Sequence, residues 1–155
     1  RGQAWGLYGF VVCYRYTQDP KYLAQAQSIA DFITQHPQMP KDGVPYWDFH
    51  APNIPDEPRD VSAAAITASA LVELNRYTGD QYAAFVNKVM NSLAAEPYSV
   101  PLKREPRFVL DHSVGSIPHG GEIDQPLVYA DYYYLEALMR IREAERNSSQ
   151  VVDNY

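Results

Sequence analysis

The sequence predicts an all-α chain built of antiparallel helical hairpins. Two observations point there. Apolar residues recur at helical spacing in segments that alternate between apolar on most sides and amphipathic. The pentapeptide Arg15-Tyr16-Thr17-Gln18-Asp19 returns as Arg76-Tyr77-Thr78-Gly79-Asp80, 61 residues later, each time between an apolar and an amphipathic segment. A period of that size corresponds to one helical hairpin per repeat, and tetratricopeptide units, at about 34 residues, are too short to fit. No substantial sheet is expected.

The first helix is predicted over residues 2–17. It is apolar on most sides, which marks an inner helix, and places Cys13 in it as a small buried residue. Asp19-Pro20 then supplies an N-cap followed by proline at the first helical position. The second helix, residues 20–35, carries the stripe Tyr22, Ala26, Ile29 and Ile33, so it reads as an outer amphipathic helix. His36-Pro37 ends it. Residues 37–59 hold six prolines, yet Val44, Tyr46, Trp47 and Phe49 give the stretch apolar anchors, so it reads as a long ordered loop. Within it Trp47-Asp48-Phe49 is the candidate ligand contact. The alternative is that Trp47 packs the loop onto the helix ends.

Asp60 is the predicted N-cap of a third helix over 61–77, whose start, Ser62 and Ala63-Ala64-Ala65, is narrow enough for close packing. The fourth helix, 81–95, turns Tyr82, Phe85, Val86, Val89, Met90 and Leu93 inward. Residues 96–123 read as a second long loop, with a short strand at 107–110 and a Ser-, His- and Gly-rich stretch, Asp111 to Gly121, suited to wrapping a polar ligand. The last helix is predicted over 125–145, where Leu135-Glu136-Ala137-Leu138 echoes Leu71-Val72-Glu73-Leu74. Residues 147–155 read as a polar, frayed tail.

Composition narrows the function. An apolar fraction of 46% and a charged fraction of 21% describe a globular chain, long enough to bury a core. A net charge of −6 offers no basic excess to neutralise phosphates, which argues against nucleic acid. No apolar run reaches membrane-spanning length, so no membrane partner is expected. A single cysteine excludes an internal disulfide. The histidines show no zinc-type spacing, and neither metal nor cofactor is expected.

The opening stretch carries the most chemistry. Gly2, Gly6 and Gly9 share one helical face, and Arg1 and Trp5, four residues apart, are neighbours. A guanidinium offers paired donors to a carboxylate, a tryptophan offers an apolar face, and a helix N-terminus adds partial positive charge. The set suits a sugar ring bearing a carboxylate. The same pattern is also produced by packing glycines and a core tryptophan.

Three ordered motifs carry a resemblance. Arg1-Gly2-Gln3-Ala4-Trp5-Gly6-Leu7-Tyr8-Gly9-Phe10, Pro58-Arg59-Asp60-Val61-Ser62-Ala63-Ala64-Ala65-Ile66, and Glu122-Ile123-Asp124-Gln125-Pro126-Leu127 with Tyr129-Ala130-Asp131-Tyr132-Tyr133-Tyr134-Leu135-Glu136-Ala137-Leu138 resemble stretches of the unsaturated glucuronyl hydrolases, glycoside hydrolase family 88. The resemblance runs to about Arg146. It implies that residues 1–146 are the C-terminal portion of an (α/α)6 toroid, whose N-terminal remainder is the chain's partner. It also implies the reaction: hydration of the enol-ether double bond in a terminal 4,5-unsaturated uronic acid, followed by collapse of the hemiketal and loss of the bond to the next sugar.

The family's catalytic aspartates precede this stretch, so no catalytic residue is assigned here. Asp48, Asp60, Asp124 and Asp131 are read as caps and helix–helix contacts. The match implies substrate binding by Arg1, Trp5, His119, Ser113 and Ser116. Trp47 joins them from the loop reading. Some family members recognise sulfate with such serines and a lysine, but here Ile117-Pro118-His119 stands in that place. The implied partner is an unsaturated oligosaccharide, and compartment stays open between bacterial cytoplasm and periplasm. Two alternatives stand beside this. One is the neighbouring family 105 of unsaturated rhamnogalacturonyl hydrolases, disfavoured by Gln3-Ala4. The other is a non-catalytic helical-repeat binding module. If hairpins alternate, the inner helices run in parallel and bring their motif-bearing N-termini to one face.

Overall fold

A computed structural model describes residues 1–101 and 108–152, with side chains through Asn147. Five helices make up most of it: α1 Gly2–Thr17, α2 Pro20–Gln35, α3 Val61–Thr78, α4 Ala83–Leu93 and α5 Val128–Val152. Two short strands, β1 Ser113–Ser116 and β2 Gly121–Gln125, pair antiparallel between α4 and α5. Helices α1 and α2 form one hairpin and α3 and α4 the next; α3 lies between α1 and α5.

The repeated pentapeptide is a helix stop. Gln18 and Gly79 both adopt the left-handed conformation, at φ 55° and φ 68°, and their N–H groups donate to Tyr14 O and Asn75 O. Thr17 and Thr78 donate their hydroxyls four residues back, to Cys13 O and Leu74 O. Each copy therefore turns an inner helix toward its outer partner through the same αL cap. The carboxylate of Asp19 then accepts from Lys21 N to start α2. The start of α4 is tied differently: Tyr82 N donates to Asn75 Oδ1 at 2.8 Å, and the Tyr82 hydroxyl reaches Asp31 Oδ1 on α2 at 3.0 Å.

Helix α3 is the centre of the core, buried without interruption from Val61 to Asn75. Its alanines let α1 and α5 approach, and Ile66, Leu71 and Leu74 are fully enclosed. Full burial of such side chains contributes about 1.5–3 kcal/mol each. The outer helices bury one stripe apiece: Ala26, Ala30 and Ile33 on α2, and Val86, Val89, Met90 and Leu93 on α4.

Several expectations need correction. Helix α1 buries only Ala4, Leu7 and Val11. It packs on α2 and α3, and its remaining side leaves Trp5, Gly9, Cys13 and Tyr16 exposed, so Cys13 is a surface residue. The second loop contains the β1–β2 hairpin. The expected strand at 107–110 is not one: Arg107 lies outside the described residues, and only Leu110 bridges, to Ser99. Helix α5 begins three residues later than expected, after Leu127, which moves Asp124 and Gln125 into β2. The helical backbone continues through 152 where the polar composition read as a frayed tail; residues 153–155 lie outside the described residues. Among the described residues, no helix is long and apolar enough to cross a membrane.

Candidate functional site

The N-termini of α1 and α3 and the hairpin β1–β2 meet at one end of the helical layer, and Asp60 is the joint. This buried carboxylate caps α3 by accepting from Ser62 N and Ala63 N. The same oxygen accepts from the Ser62 hydroxyl and, at 3.4 Å, from Val114 N of β1. Its other oxygen lies 3.6 Å from Arg1 Nη1. Val61 N donates to His112 O, so the hairpin hangs from the first turn of α3.

Arg1 completes the clasp. Its Nη1 donates to Val114 O and its Nη2 to Gly115 O, the latter at 2.6 Å. The guanidinium also sits over the Tyr129 ring, 5.4 Å from its centre. Burial pushes the Tyr129 phenol pKa up, with the Arg1 cation pulling against it. Trp5 lies one helical turn on, partly exposed, with its ring edge-on to Tyr133 at 5.1 Å and tilted to Tyr129 at 6.4 Å. Aromatic pairs at such distances are favourable beyond their buried area.

These groups border a cavity of about 390 Å³ lined by Arg1, Trp5, Trp47, Asp48, Asp60 and the stretch from Val114 to Pro118, the end of β1 and the start of its turn. A second cavity, about 270 Å³, also borders Trp47 and Asp48 and reaches Phe32, Tyr46, Phe49 and His50. The lining that the two share is the start of α1 and the tip of the first long loop. That loop is held by Tyr46 bridging to Arg59 and by Trp47 N donating to Pro58 O at 3.0 Å. It is also latched to the second loop: Asp42 Oδ2 accepts from Arg59 Nη2 at 2.5 Å and from the Tyr98 hydroxyl at 2.8 Å.

Arg1, Trp5, Trp47 and Ser116 thus share one cavity. The Ser116 hydroxyl pairs with His119 Nδ1 at 2.7 Å across the four-residue turn 117–120, and His119 itself is exposed, outside the cavity lining. Ser113 is placed differently. It is fully buried, off the cavity surface, and its hydroxyl has no hydrogen-bond partner among the described residues. The turn closes at Gly120, φ 64°, and strand pairing is tight at Gly115, where a Cβ would stand 2.7 Å from Glu122 Cβ.

Asp60 is the cap the sequence indicated. Asp131 instead fastens the second loop to α5, accepting from Val109 N and Leu110 N. Asp48 Oδ1 accepts from His50 N, and Asp124 meets His112 Nδ1 at 2.6 Å. The sequence reading missed this histidine, the aromatic wall of Tyr129 and Tyr133, and Glu57, which accepts the Trp47 indole N–H. The tyrosine pair had a signal in its four-residue spacing on one helix face. Among the described residues, no group of three acidic, histidine or cysteine side chains is placed to hold a metal ion.

A crystal structure of an unsaturated glucuronyl hydrolase specific for heparin matches at a TM-score of 0.91 and 46% identity over 94% of this chain. A curated relative from Formosa agariphila, an unsaturated glucuronyl hydrolase, is 53% identical over 141 residues, 90% of this chain. Over the stretch it spans, the chain belongs with the unsaturated glucuronyl hydrolases. A Streptococcus agalactiae unsaturated glucuronyl hydrolase variant, complexed with dGlcA-GalNAc6S, matches at a TM-score of 0.82 and 32% identity, over 91% of this chain and 38% of that one. No family model matches the chain. The chain spans about 35% of the Formosa relative's length and 40% of the heparin-specific unsaturated glucuronyl hydrolase. The mostly helical hairpin architecture is that of a partial α/α toroid, as these unsaturated glucuronyl hydrolases lead one to expect.

Proposed function

We propose that this chain forms the substrate-gripping part of a glycoside hydrolase that removes the terminal 4,5-unsaturated uronic acid from lyase-generated oligosaccharides. The enzyme hydrates the enol-ether double bond, and the hemiketal that results opens and releases the next sugar. The observation that carries the reading is the cavity beside the start of α1, where a guanidinium, two tryptophan rings and a hydroxyl-bearing strand edge converge. A guanidinium has five N–H donors. Arg1 commits two to the β1 carbonyls, and those left pair with the uronate carboxylate while Trp5 walls the ring. Trp47 faces the sugar from the loop. Ser116 and His119, joined to each other, contact the following sugar, and Ser113 supports that loop from within the fold. No aspartate of this chain is assigned the proton delivered to the double bond. Asp60 in particular is occupied as a cap and as the partner of Arg1.

Residues 1–146 are proposed as a portion of the toroid domain, with 147–155 as its terminal extension. The exposed row Val128, Tyr132, Leu135 and Met139 on α5 supports packing against further helices of the same protein. The test is turnover by the full-length protein. Unsaturated disaccharides should lose their ultraviolet absorbance and yield a free sugar and an open-chain keto acid. Absence of turnover with every unsaturated uronide offered would overturn the reading.

A further inference from the structure

We propose that Glu57 is the positioning residue that sets the Trp47 ring in the substrate site, an inference that rests on the function just described. Trp47 borders both cavities, so the angle of its ring decides how much room the sugar site has. The backbone of Trp47 is fixed through Pro58 O. That leaves the side chain free to swing about two torsions unless its far end is held. The indole N–H is that end, and it donates to Glu57 Oε2 at 2.8 Å. A carboxylate acceptor makes this one of the stronger kinds of hydrogen bond.

Glu57 is itself braced. Its Oε1 accepts from Asn53 N at 3.0 Å and from Asn53 Nδ2 at 3.1 Å. One carboxylate thus ties together the two sides of the proline-rich loop from Asn53 to Pro58 and holds the ring that loop presents. The hydrogen bond from Trp47, with those from Asn53, keeps the Glu57 carboxyl below the usual glutamate range, so it is ionised at neutral pH. Glu57 does not line either cavity. It acts on the sugar through Trp47.

The test is a double-mutant cycle in the full-length protein, read by loss of the ultraviolet absorbance of an unsaturated disaccharide. Glu57→Ala should raise KM about three- to tenfold with kcat little changed, the signature of lost uniform binding. Glu57→Gln, which keeps an acceptor oxygen, should recover most of the loss. Trp47→Phe keeps a ring but has no N–H to hold, so adding Glu57→Ala to it should change KM no further. The indole N–H resonance of Trp47 should shift and lose exchange protection in Glu57→Ala and keep both in Glu57→Gln. An unchanged KM in Glu57→Ala, a loss of kcat in place of a KM effect, or additive effects in the Trp47→Phe background would overturn the proposal while wild-type turnover stands. A wild-type protein that turns over no unsaturated uronide would overturn both readings.

Discussion

The guanidinium of Arg15 grips the carboxylate of Glu73 with two hydrogen bonds, Nε to Oε1 at 2.7 Å and Nη2 to Oε2 at 2.8 Å. Glu73 is buried on α3, and Arg140 of α5 reaches its Oε2 from the other side at 3.1 Å. Arg140 also donates to Ser69 O, and Glu136 accepts from the hydroxyls of Ser69 and Tyr8. Charges of alternating sign therefore run across α1, α3 and α5 and pin the register of the three inner helices.

Removing Glu73 leaves Arg15 without its carboxylate partner and Arg140, largely buried, with Glu136 as its remaining carboxylate. Glu73→Ala should destabilise the protein by about 3 kcal/mol, the lower end of the range for breaking buried pairs, because Arg15 keeps partial access to water. Denaturant unfolding should show a lower midpoint at unchanged slope. A midpoint equal to wild type would mean that helix packing alone sets the register.

The two loops are held by Asp42, and that latch titrates. Burial pushes the Asp42 carboxyl pKa up, but hydrogen bonds from Arg59, Tyr98 and Val44 N together outweigh it and hold the group below the ordinary carboxylate range. A folded-state pKa below the unfolded one adds stability that is fully present above the unfolded value, about 3.9, and is lost as pH falls through the folded value. Wild type should therefore lose stability on acidification below about pH 4 more steeply than Asp42→Asn. Parallel pH curves of melting temperature for the two proteins would refute this.

The paired helix stops make a matched prediction. Gly79 sits at φ 68° with open space around its Cα, so Gly79→Ala meets backbone strain alone and should cost about 1–2 kcal/mol. Gln18 bears that strain already. Gln18→Gly should stabilise, by less, because Gln18 Nε2 also donates to Tyr14 O and Arg15 O. Thermal melts should move in opposite directions for the two variants.

Arg1 has two duties in the proposed function, pairing with the uronate and clasping β1. A charge-assisted contact is worth roughly 1.5–3 kcal/mol. Arg1→Ala in the full-length protein should lower kcat/KM by about tenfold to a hundredfold or more. Arg1→Lys should recover only part, because an ammonium cannot serve two carbonyls and a carboxylate in one plane. Kinetics should be read beside thermal melts: activity loss that merely follows a fallen melting temperature would assign Arg1 to the clasp alone.

Much of the fold was legible because its signals are local. The spans of α1 and α2, the Asp19 and Asp60 caps and the repeated helix stop follow from side-chain chemistry within four or five residues. The solvent exposure of Cys13 was not legible, because whether an apolar helix face is covered depends on which neighbours pack against it. The hairpin at 113–125 escaped for a related reason. Its serines, glycines and positive-φ residues, His112, Glu122 and Asp124, read as a loop, and its pairing is stabilised by Arg1 and Asp60, more than fifty residues away.

By itself the sequence determined the helical hairpins, their parallel inner members and the gathering of Arg1, Trp5 and Asp60 at one end of the layer, because periodicity and capping are properties of neighbouring residues. Tertiary structure alone decided what those groups touch. Arg1 binds carbonyls of a strand 113 residues away, Ser113 turns into the fold while Ser116 meets the cavity, and Glu57 holds the Trp47 ring. Hydrogen bonds and close packing act over a few ångströms in space, and no spacing along the chain records which distant groups will be brought within that reach.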